Sequence, residues 1–320
     1  MKKNVVLTIS LMNSFFRETI KGFSKNSALP FSSWRRIEDE AEKRRVFRDA
    51  LNSFSTKGNY ASFRKIVAWL ADIVNKLLGF GLLLGLWYFI SLSKEGLPGP
   101  LPTLKVLWDL VKDPFYNYGP NDKGIGLQLV SSLIRVFSGF LIGSAIAIPI
   151  GLLMGASTIG RKIFYPMVQI LKPVSPLAWF PIGLMVFESA SQATIFIIVI
   201  TSLWPTLINT AFGVGSIPDD HKNVAKVFGF SRWKYITKVL IPFSLPHIIT
   251  GLRLSIGVAW LVIVAGEMLS GGVGIGFFVW DSWNALSLEK VISAILIIGL
   301  VGLLLDTGFS FLEKKVTYSI

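Results

Sequence analysis

Six apolar stretches constrain the fold of this chain more than any other feature of its sequence. A helix that crosses a bilayer needs about 20 mostly apolar residues, because the hydrocarbon core is about 30 Å thick. Six stretches approach or exceed this length, some with interruptions: Lys76–Leu92, Leu127–Gly155, Phe164–Phe187, Ala193–Val214, Ile248–Leu269 and Val291–Phe311. A spanning helix satisfies its own backbone hydrogen bonds, which an open strand in lipid cannot do. The sequence therefore predicts an all-α integral membrane protein with six transmembrane helices.

The positions of the charged residues predict the orientation of these helices. Cytoplasmic connections of membrane proteins are enriched in lysine and arginine. The first 76 residues carry 15 Lys or Arg against 7 Asp or Glu, and basic residues also prevail after the second and fourth stretches and near the C-terminus. Both termini are therefore expected to be cytoplasmic. We divide the chain into a basic N-terminal region that is cytoplasmic or interfacial, 1–75, and a transmembrane domain, 76–320, with a cytoplasmic loop at 215–242.

Prolines interrupt the third apolar stretch. Pro166, Pro173, Pro176 and Pro181 each remove a backbone donor and disfavour a helical conformation for the preceding residue. The sequence predicts that this helix is broken. Irregular backbone at membrane depth is tolerated only where protein or a water-filled cavity covers it, so the break is a candidate wall of a transport path.

Glycines recur at four-residue spacing in the second stretch. Gly139 and Gly143, and then Gly151 and Gly155, form patterns that let helix backbones approach closely in a membrane. The pattern favours packing within the chain over an interface between two copies.

The connection after the fourth stretch predicts two short helices. Proline and two acidic residues at 218–220 suit a helix start, and Gly229 suits its end. A second helix begins at Ser231 and is expected to end at Pro242. Its apolar residues Phe230, Trp233, Ile236 and Leu240 are predicted on one face, and Ser231, Lys234, Tyr235 and Lys238 on another. One face would contact the membrane domain and the other a partner; an amphipathic helix at lipid headgroups is the alternative.

This connection resembles the EAA loop of ATP-binding-cassette importer permeases, E-A-A-x3-G-x9-I-x-L-P. The corresponding residues are Asn223-Val224-Ala225-x3-Gly229-x9-Val239-Leu240-Ile241-Pro242. The glycine, its distance to the proline and one alanine match, whereas Asn223 stands in place of the leading glutamate.

The resemblance covers roughly Leu127 to Phe311. The segments "SSLIRVFSGFLIG", "LLMGAS", "PMVQILKPVSPLAWFPIGLMVF", "WPTLINTAFGV", "GLRLSIGVAWLVIVAGEML" and "GVGIGFF" occur in the order typical of the nitrate/sulfonate/taurine branch of these permeases. Within that branch, "KPVSPLAWFPIGL" and "GIGFFVWDSWNA" are most similar to the nitrate and bicarbonate permeases. The resemblance implies the type I importer permease fold.

It also implies a function and a set of partners. The chain would be the membrane subunit of an ATP-driven importer for a small inorganic anion, with nitrate or nitrite first and bicarbonate, alkylsulfonate or taurine as alternatives. Its expected partners are a second copy of the chain, two ATPase subunits that carry ATP and Mg²⁺, an extracytoplasmic substrate-binding protein and membrane lipid, but no nucleic acid. The expected location is the bacterial inner membrane. An autonomous anion channel or secondary transporter is the alternative from another class.

The resemblance makes the connection a coupling helix that docks on the ATPase subunits. Gly229 would permit the turn, Phe230 and Trp233 would be the buried anchors, and Arg232 a polar contact. The complete set of expected coupling residues is Asn223, Ala225, Gly229, Phe230, Ser231, Arg232, Trp233 and Pro242.

Polar residues within the apolar stretches are candidates for the substrate path. A charged side chain at the centre of a membrane helix costs at least about 2.5 kcal/mol, so each one is a functional candidate. Lys172 lies in the broken third stretch and is the first candidate to attract an anion, although it also lies within reach of the inner lipid boundary. The other expected path residues are Gln169, Ser175, Trp179, Trp204, Asn209, Arg253, Trp260 and Glu267. Arg135 is expected to pair with Glu188 or Glu267.

The sequence contains no convincing catalytic or metal-binding pattern. It has no cysteine, its two histidines lie 26 positions apart, and its "GASTIGRK" segment lacks the lysine-serine or lysine-threonine pair of a phosphate-binding loop. We expect a non-catalytic membrane subunit without a cofactor or metal of its own.

Overall fold

The computed structural model describes residues 59–94, 96–119 and 122–316. Within these ranges the chain is helical, and an isolated antiparallel bridge joins Asn117 and Lys123. The α-helices are α1 (Asn59–Ser93), α2 (Pro100–Lys112), α3 (Ile125–Ala156), α4 (Thr158–Leu171), α5 (Phe180–Phe187), α6 (Ala190–Gly215), α7 (Asp219–Val227), α8 (Arg232–Tyr235), α9 (Ile241–Ser270), α10 (Ile275–Asn284) and α11 (Leu288–Val316). A 3₁₀ turn, Pro176–Trp179, precedes α5, and a π-helical segment, Ile236–Leu240, joins α8 to α9.

The chain divides into two compact units, Met1–Leu83 and Leu84–Ile320. Of the first unit the structure describes only the beginning of α1, so most of the predicted basic region 1–75 lies outside the described residues. The second unit contains all the other helices named above.

The described helices agree with the six predicted spans. Five are long and apolar enough to cross a membrane: Val67–Ser93, Ile125–Ala156, Ala190–Gly215, Arg232–Ser270 and Leu288–Val316. Helix α4 and the segment Pro176–Phe187 form a sixth candidate, a single span bent by 94°. The predicted break in the third stretch is thus confirmed, and the two prolines at 173 and 176 lie at the bend. We call residues 172–175 the elbow.

Helices α3, α6 and α9 form the core of the second unit. A Cβ atom on Gly139 would lie 2.6 Å from Ile198, and one on Gly155 would lie 2.6 Å from the carbonyl oxygen of Ala211. These contacts show that α3 runs parallel to α6 along the whole glycine pattern. The small residues therefore serve packing within the chain, as predicted.

Helix α9 runs antiparallel to α6 and is joined to it by buried hydroxyl groups. Thr206 Oγ1 and Ser255 Oγ lie 2.7 Å apart, and Ser255 Oγ donates to the carbonyl oxygen of Ser202 at 2.6 Å. Hydrogen bonds of this kind connect helices where lipid supplies no hydrophobic drive for association. The three helices thus form a closely packed scaffold for the connections at its two ends.

We name these ends by their connections. The loop end carries Ser157 and residues 216–240, and the far end carries residues 270–275. Helix α4 starts at the loop end and packs its Phe164 and Val168 against Met154 of α3 and Leu207 of α6.

Candidate functional site

The connection at the loop end is a helix–turn–helix closed by backbone hydrogen bonds. Phe230 N–H donates to the carbonyl oxygen of Ala225 and Gly229 N–H to that of Lys226, both at 3.0 Å, which is the Schellman pattern. Gly229 has φ +60°, in the left-handed region where glycine carries no Cβ penalty. Ser231 Oγ then accepts from Lys234 N–H at 3.3 Å and caps α8. The predicted stop at Gly229 and start at Ser231 are both present.

The path of the second helix corrects the prediction in two respects. The helix does not end at Pro242 but continues through the π segment into α9, so that Arg232–Ser270 is one helical run. The π segment widens the turn before Pro242, where a regular α-helix would bring the proline ring against the carbonyl of Lys238. The segment also contains one extra residue in its turn, so Tyr235 packs inward near the buried Leu240, whereas Trp233 points outward and is 74% exposed.

Buried apolar residues seat this connection on the core. Val214, Ile217 and Leu240 form one cluster, and Ala225 of α7 is also buried. At the start of α7, Lys222 donates to Asp219 at 3.0 Å, and this hydrogen bond lowers the pKa of the Asp219 carboxyl below its usual value. The connection is therefore fixed relative to the bundle.

Its outer surface is apolar and rimmed by positive charge. Val224, Val227, Phe228 and Trp233 are each more than half exposed, and we call them the exposed ridge. Asn223, Gly229, Ser231, Arg232 and Pro242 are also exposed, whereas Phe230 is half-buried with Lys234 Nζ 4.4 Å from its ring centroid. Four large exposed apolar side chains within ten residues indicate a contact with another protein or with a membrane.

Four of the predicted path residues lie in the elbow or within four residues of it along the chain. Lys172 and Ser175 are exposed, and Lys172 Nζ has no hydrogen-bond or ion-pair partner among the described residues. Gln169 Nε2 donates to the Tyr165 hydroxyl oxygen at 2.6 Å. The indole nitrogen of Trp179 is buried and has no acceptor among the described residues.

The remaining predicted path residues are spread over α6 and α9. In α6, Trp204 packs against the Met154–Val168 cluster, and Asn209 Nδ2 donates to the carbonyl oxygen of Pro205 at 2.8 Å. In α9, Trp260 is buried and its indole N–H donates to the carbonyl oxygen of Ile298 in α11 at 3.0 Å. Trp204 therefore shares a cluster with Val168 of α4, whereas the hydrogen bonds of Asn209 and Trp260 lie within α6 and on α11.

Glu267 belongs to a buried polar cluster at the far end. It pairs with Arg135 at 2.7 Å, and Ser132 Oγ lies 2.8 Å from its Oε2. Arg135 also donates to the carbonyl oxygen of Val273 at 2.6 Å and to Ser191 Oγ at 3.0 Å. Of the two partners predicted for Arg135, the structure selects Glu267.

The same cluster caps the first turn of α10. The N–H groups of residues 274, 275 and 276 donate to Gln128 Oε1 at 2.6 Å, Ser132 Oγ at 2.9 Å and Glu267 Oε2 at 3.0 Å. Because the exposed fraction of Glu267 is 0%, every contact of its carboxylate is made inside the protein. We call Gln128, Ser132, Arg135 and Glu267 the far-end cluster.

Arg253 forms a second ionic group, nearer the loop end. Its guanidinium donates to both carboxylate oxygens of Asp306, at 2.7 and 2.8 Å, and to Glu313 at 2.9 Å. Glu313 also accepts from Thr250 Oγ1 at 2.5 Å. These bonds join α9 to α11 and leave the Arg253 charge compensated by two carboxylates.

Comparison with known proteins identifies the family. The profile of the family described as "binding-protein-dependent transport system inner membrane component" matches residues 147–318. The chain belongs to this family. It is thus a multi-pass inner-membrane permease, as the resemblance implied.

Named relatives and solved structures agree with this assignment. The permease is 45% identical over 239 residues to a nitrate import permease protein of Leptolyngbya laminosa, covering 75% of this chain and 86% of that protein. It is 44% identical over 242 residues to a bicarbonate transport system permease protein of Synechococcus elongatus, covering 74% and 86%. An inward-facing structure of the MetNI methionine transporter has a TM-score of 0.52 at 15% identity, covering 67% of this chain and 99% of that one. The type I permease fold is therefore confirmed.

Sequence reasoning missed two members of the far-end cluster. Gln128 and Ser132 were not among the predicted site residues, although with Arg135 they recur at spacings of four and three and so lie on one face of α3. This polar face in an otherwise apolar helix was the signal that could have located them.

Proposed function

We propose that this permease is the membrane subunit of an ATP-driven importer for a small oxyanion, with nitrate as its substrate. The observation that carries the proposal is the identity of 41–45% to nitrate import permease proteins, which extends over about three quarters of the chain. The exposed cationic side chain of Lys172, next to the break in the third span, supports an anionic substrate.

The exposed ridge is the proposed contact with the ATPase subunits. Its apolar side chains and the rim of Arg232 and Lys234 suit a protein partner that provides an apolar cleft with acidic groups. Two permease copies, two ATPase subunits that carry ATP and Mg²⁺, and an extracytoplasmic binding protein form the proposed complex. The loop end is then cytoplasmic, in agreement with the basic residues around it.

The elbow is the proposed place where the oxyanion first meets the permease within the membrane. Lys172 provides charge, and the Trp179 indole N–H provides a donor that lacks an acceptor within the described residues. Ser175 and Gln169 are each three residues from Lys172 along the chain, and both are exposed.

Uptake of labelled nitrate into proteoliposomes tests this function directly. The vesicles contain the permease, its ATPase subunits and the binding protein, and the control omits only the ATPase subunits. We expect uptake that needs ATP and is lost in the control. Uptake by the permease alone would instead make it an autonomous channel or secondary transporter.

Bicarbonate is the second candidate substrate. The bicarbonate transport permease proteins are 44% identical to this chain over the aligned 242 and 249 residues, within the range of 41–45% of the nitrate proteins. Competition in the same vesicles separates the two substrates. If unlabelled bicarbonate inhibits the uptake of labelled nitrate at a lower concentration than unlabelled nitrate does, bicarbonate and not nitrate is the first candidate.

A further inference from the structure

Helix α4 carries three distinct faces along its length. The first face, Gly160, Phe164, Val168 and Leu171, is buried or half-buried and packs on α3 and α6. Because four residues with spacings of four, four and three lie in one row of an α-helix, this face covers the whole length of α4. Two further rows are accessible, and the exposed residues Thr158, Lys162 and Pro166 lie between them.

The second face of α4 is apolar. Ile159, Ile163, Met167 and Ile170 follow the same spacing and are each more than half exposed. In a chain that crosses a membrane, a row of exposed isoleucine and methionine side chains is suited to lipid contact.

The third face is polar. It begins two residues after the start of the second face, and its residues follow the same spacings of four, four and three. Arg161, Tyr165, Gln169 and Lys172 are all exposed. We call these four residues the donor stripe. Two cations and two polar groups in one row are costly against hydrocarbon, so this face is suited to water or to another polar partner.

The donor stripe offers hydrogen-bond donors along its whole length. The Tyr165 oxygen accepts from Gln169 Nε2 at 2.6 Å, so its own O–H remains available to donate. Lys172 and Arg161 provide N–H donors only, and α4 contains no aspartate or glutamate. Neither cation has an ion-pair partner among the described residues.

The position of the stripe joins the elbow to the loop end. Its two cations are separated by 11 positions, or about 16 Å of helix. Lys172 lies at the elbow, and the Arg161 Nη2 lies 3.5 Å from where a Cβ on Gly215 would be, at the end of α6.

We propose that the donor stripe is the surface along which the transported oxyanion passes from the elbow to the loop end, so that Arg161 and Tyr165 belong to the path together with Lys172 and Gln169. An oxyanion only accepts hydrogen bonds, and every side chain of the stripe can donate one. This inference rests on the proposed function, because it assigns the path of that same substrate.

Thiol labelling tests whether the stripe faces water. The chain contains no cysteine, so Tyr165→Cys and Gln169→Cys each introduce a unique thiol in this subunit, with Ile163→Cys and Met167→Cys as matched controls on the apolar face. In the assembled complex we expect methanethiosulfonate reagents to modify the two stripe thiols and not the controls. The anionic sulfonatoethyl reagent should react about fivefold faster than the cationic trimethylammonioethyl reagent, relative to a free thiol, because two cations flank the stripe.

Two labelling results would overturn the proposal. If the stripe thiols are as unreactive as the controls, the stripe is covered. If oxidation joins two Tyr165→Cys subunits by a disulfide, the stripe is an interface between copies of the chain.

Transport kinetics test whether the oxyanion contacts the stripe. Arg161→Gln and Tyr165→Phe are each expected to raise the half-saturating nitrate concentration, by about tenfold for Arg161 because a charge-assisted donor is lost, with a smaller change in maximal rate. Met167→Leu should change neither value. If both stripe variants keep the half-saturating nitrate concentration of the unaltered complex, and that complex shows ATP-dependent uptake, the oxyanion does not pass along the stripe. The proposed function then still stands. Absence of such uptake in the unaltered complex refutes the proposed function instead.

Discussion

At the scale of single residues, Gly229 holds the turn of the connection at the loop end by its backbone conformation. A Cβ there would meet no atom within 4 Å, so space does not restrict the position. The φ of +60° does, because a left-handed conformation costs a residue with a side chain about 1–2 kcal/mol. Gly229→Val should therefore distort the turn and lower ATP-dependent nitrate uptake about tenfold or more, with the protein still inserted.

Asparagine supplies the matched control for this position. It tolerates the left-handed region better than a β-branched residue, so Gly229→Asn should retain most of the uptake. Equal uptake by the valine variant and the unaltered permease would contradict the role of this turn in coupling.

Glu267 allows a prediction about stability. Its carboxylate is fully buried and pairs with Arg135, whose side chain is mostly buried, so Glu267→Gln leaves Arg135 without a compensating charge and should destabilise the permease by about 3 kcal/mol. Thermal unfolding in detergent measures the loss. The double variant Arg135→Gln/Glu267→Gln should recover part of it, and strictly additive losses would show that the two side chains do not interact energetically.

At the scale of helices, sequence patterns predicted those features that depend on neighbours along the chain. The glycine spacing of α3, the proline break and the Schellman turn each follow from residues within one or two turns. The π segment could not be predicted in this way, because its hydrogen bonds span only one residue more than those of an α-helix and no residue type specifies a π turn. The orientation of Trp233 and Tyr235 depends on that segment. The faces predicted for these two side chains were therefore wrong.

The elbow is the element whose geometry can be tested most directly. Each of Pro173 and Pro176 disfavours a continuous helix by about 3 kcal/mol, so Pro173→Ala/Pro176→Ala should let α4 and α5 straighten in part. Spin labels at Ile163→Cys and Met185→Cys, both exposed, measure the change as a longer distance, with about 33 Å of helix between the two positions as the straight limit. Uptake of nitrate should fall with it.

Pro166→Ala is the control for this experiment. Pro166 lies inside α4, away from the bend, so its replacement should leave the distance between the labels unchanged. A distance that is equally unaffected by the double replacement would mean that packing on α6 and α9, and not the prolines, maintains the 94° bend.

At the scale of the whole molecule, the sequence predicted the spans and the family but not how distant residues combine. The far-end cluster joins α3 to residues more than 130 positions away, and the Arg253 group joins α9 to α11. Apolar length and charge bias report where a helix lies in the membrane, but they carry no information on which polar side chains meet across it. Only the arrangement of the helices could pair Arg135 with Glu267 and not with Glu188.

The orientation of the permease is the prediction that belongs to this scale. The bias of basic residues places the loop end and the C-terminal end of α11 inside, and the connections at 94–123 and 281–290 outside. In the cysteine-free chain, Asn117→Cys and Ala285→Cys should react with a membrane-impermeant thiol reagent added to intact spheroplasts, whereas Lys226→Cys and Lys314→Cys should react only after lysis. All four positions are exposed, so access from one side is what separates the pairs. The reverse pattern would place the exposed ridge outside the cell, out of reach of any ATPase that uses cytoplasmic ATP, and the coupling proposal would fail with it.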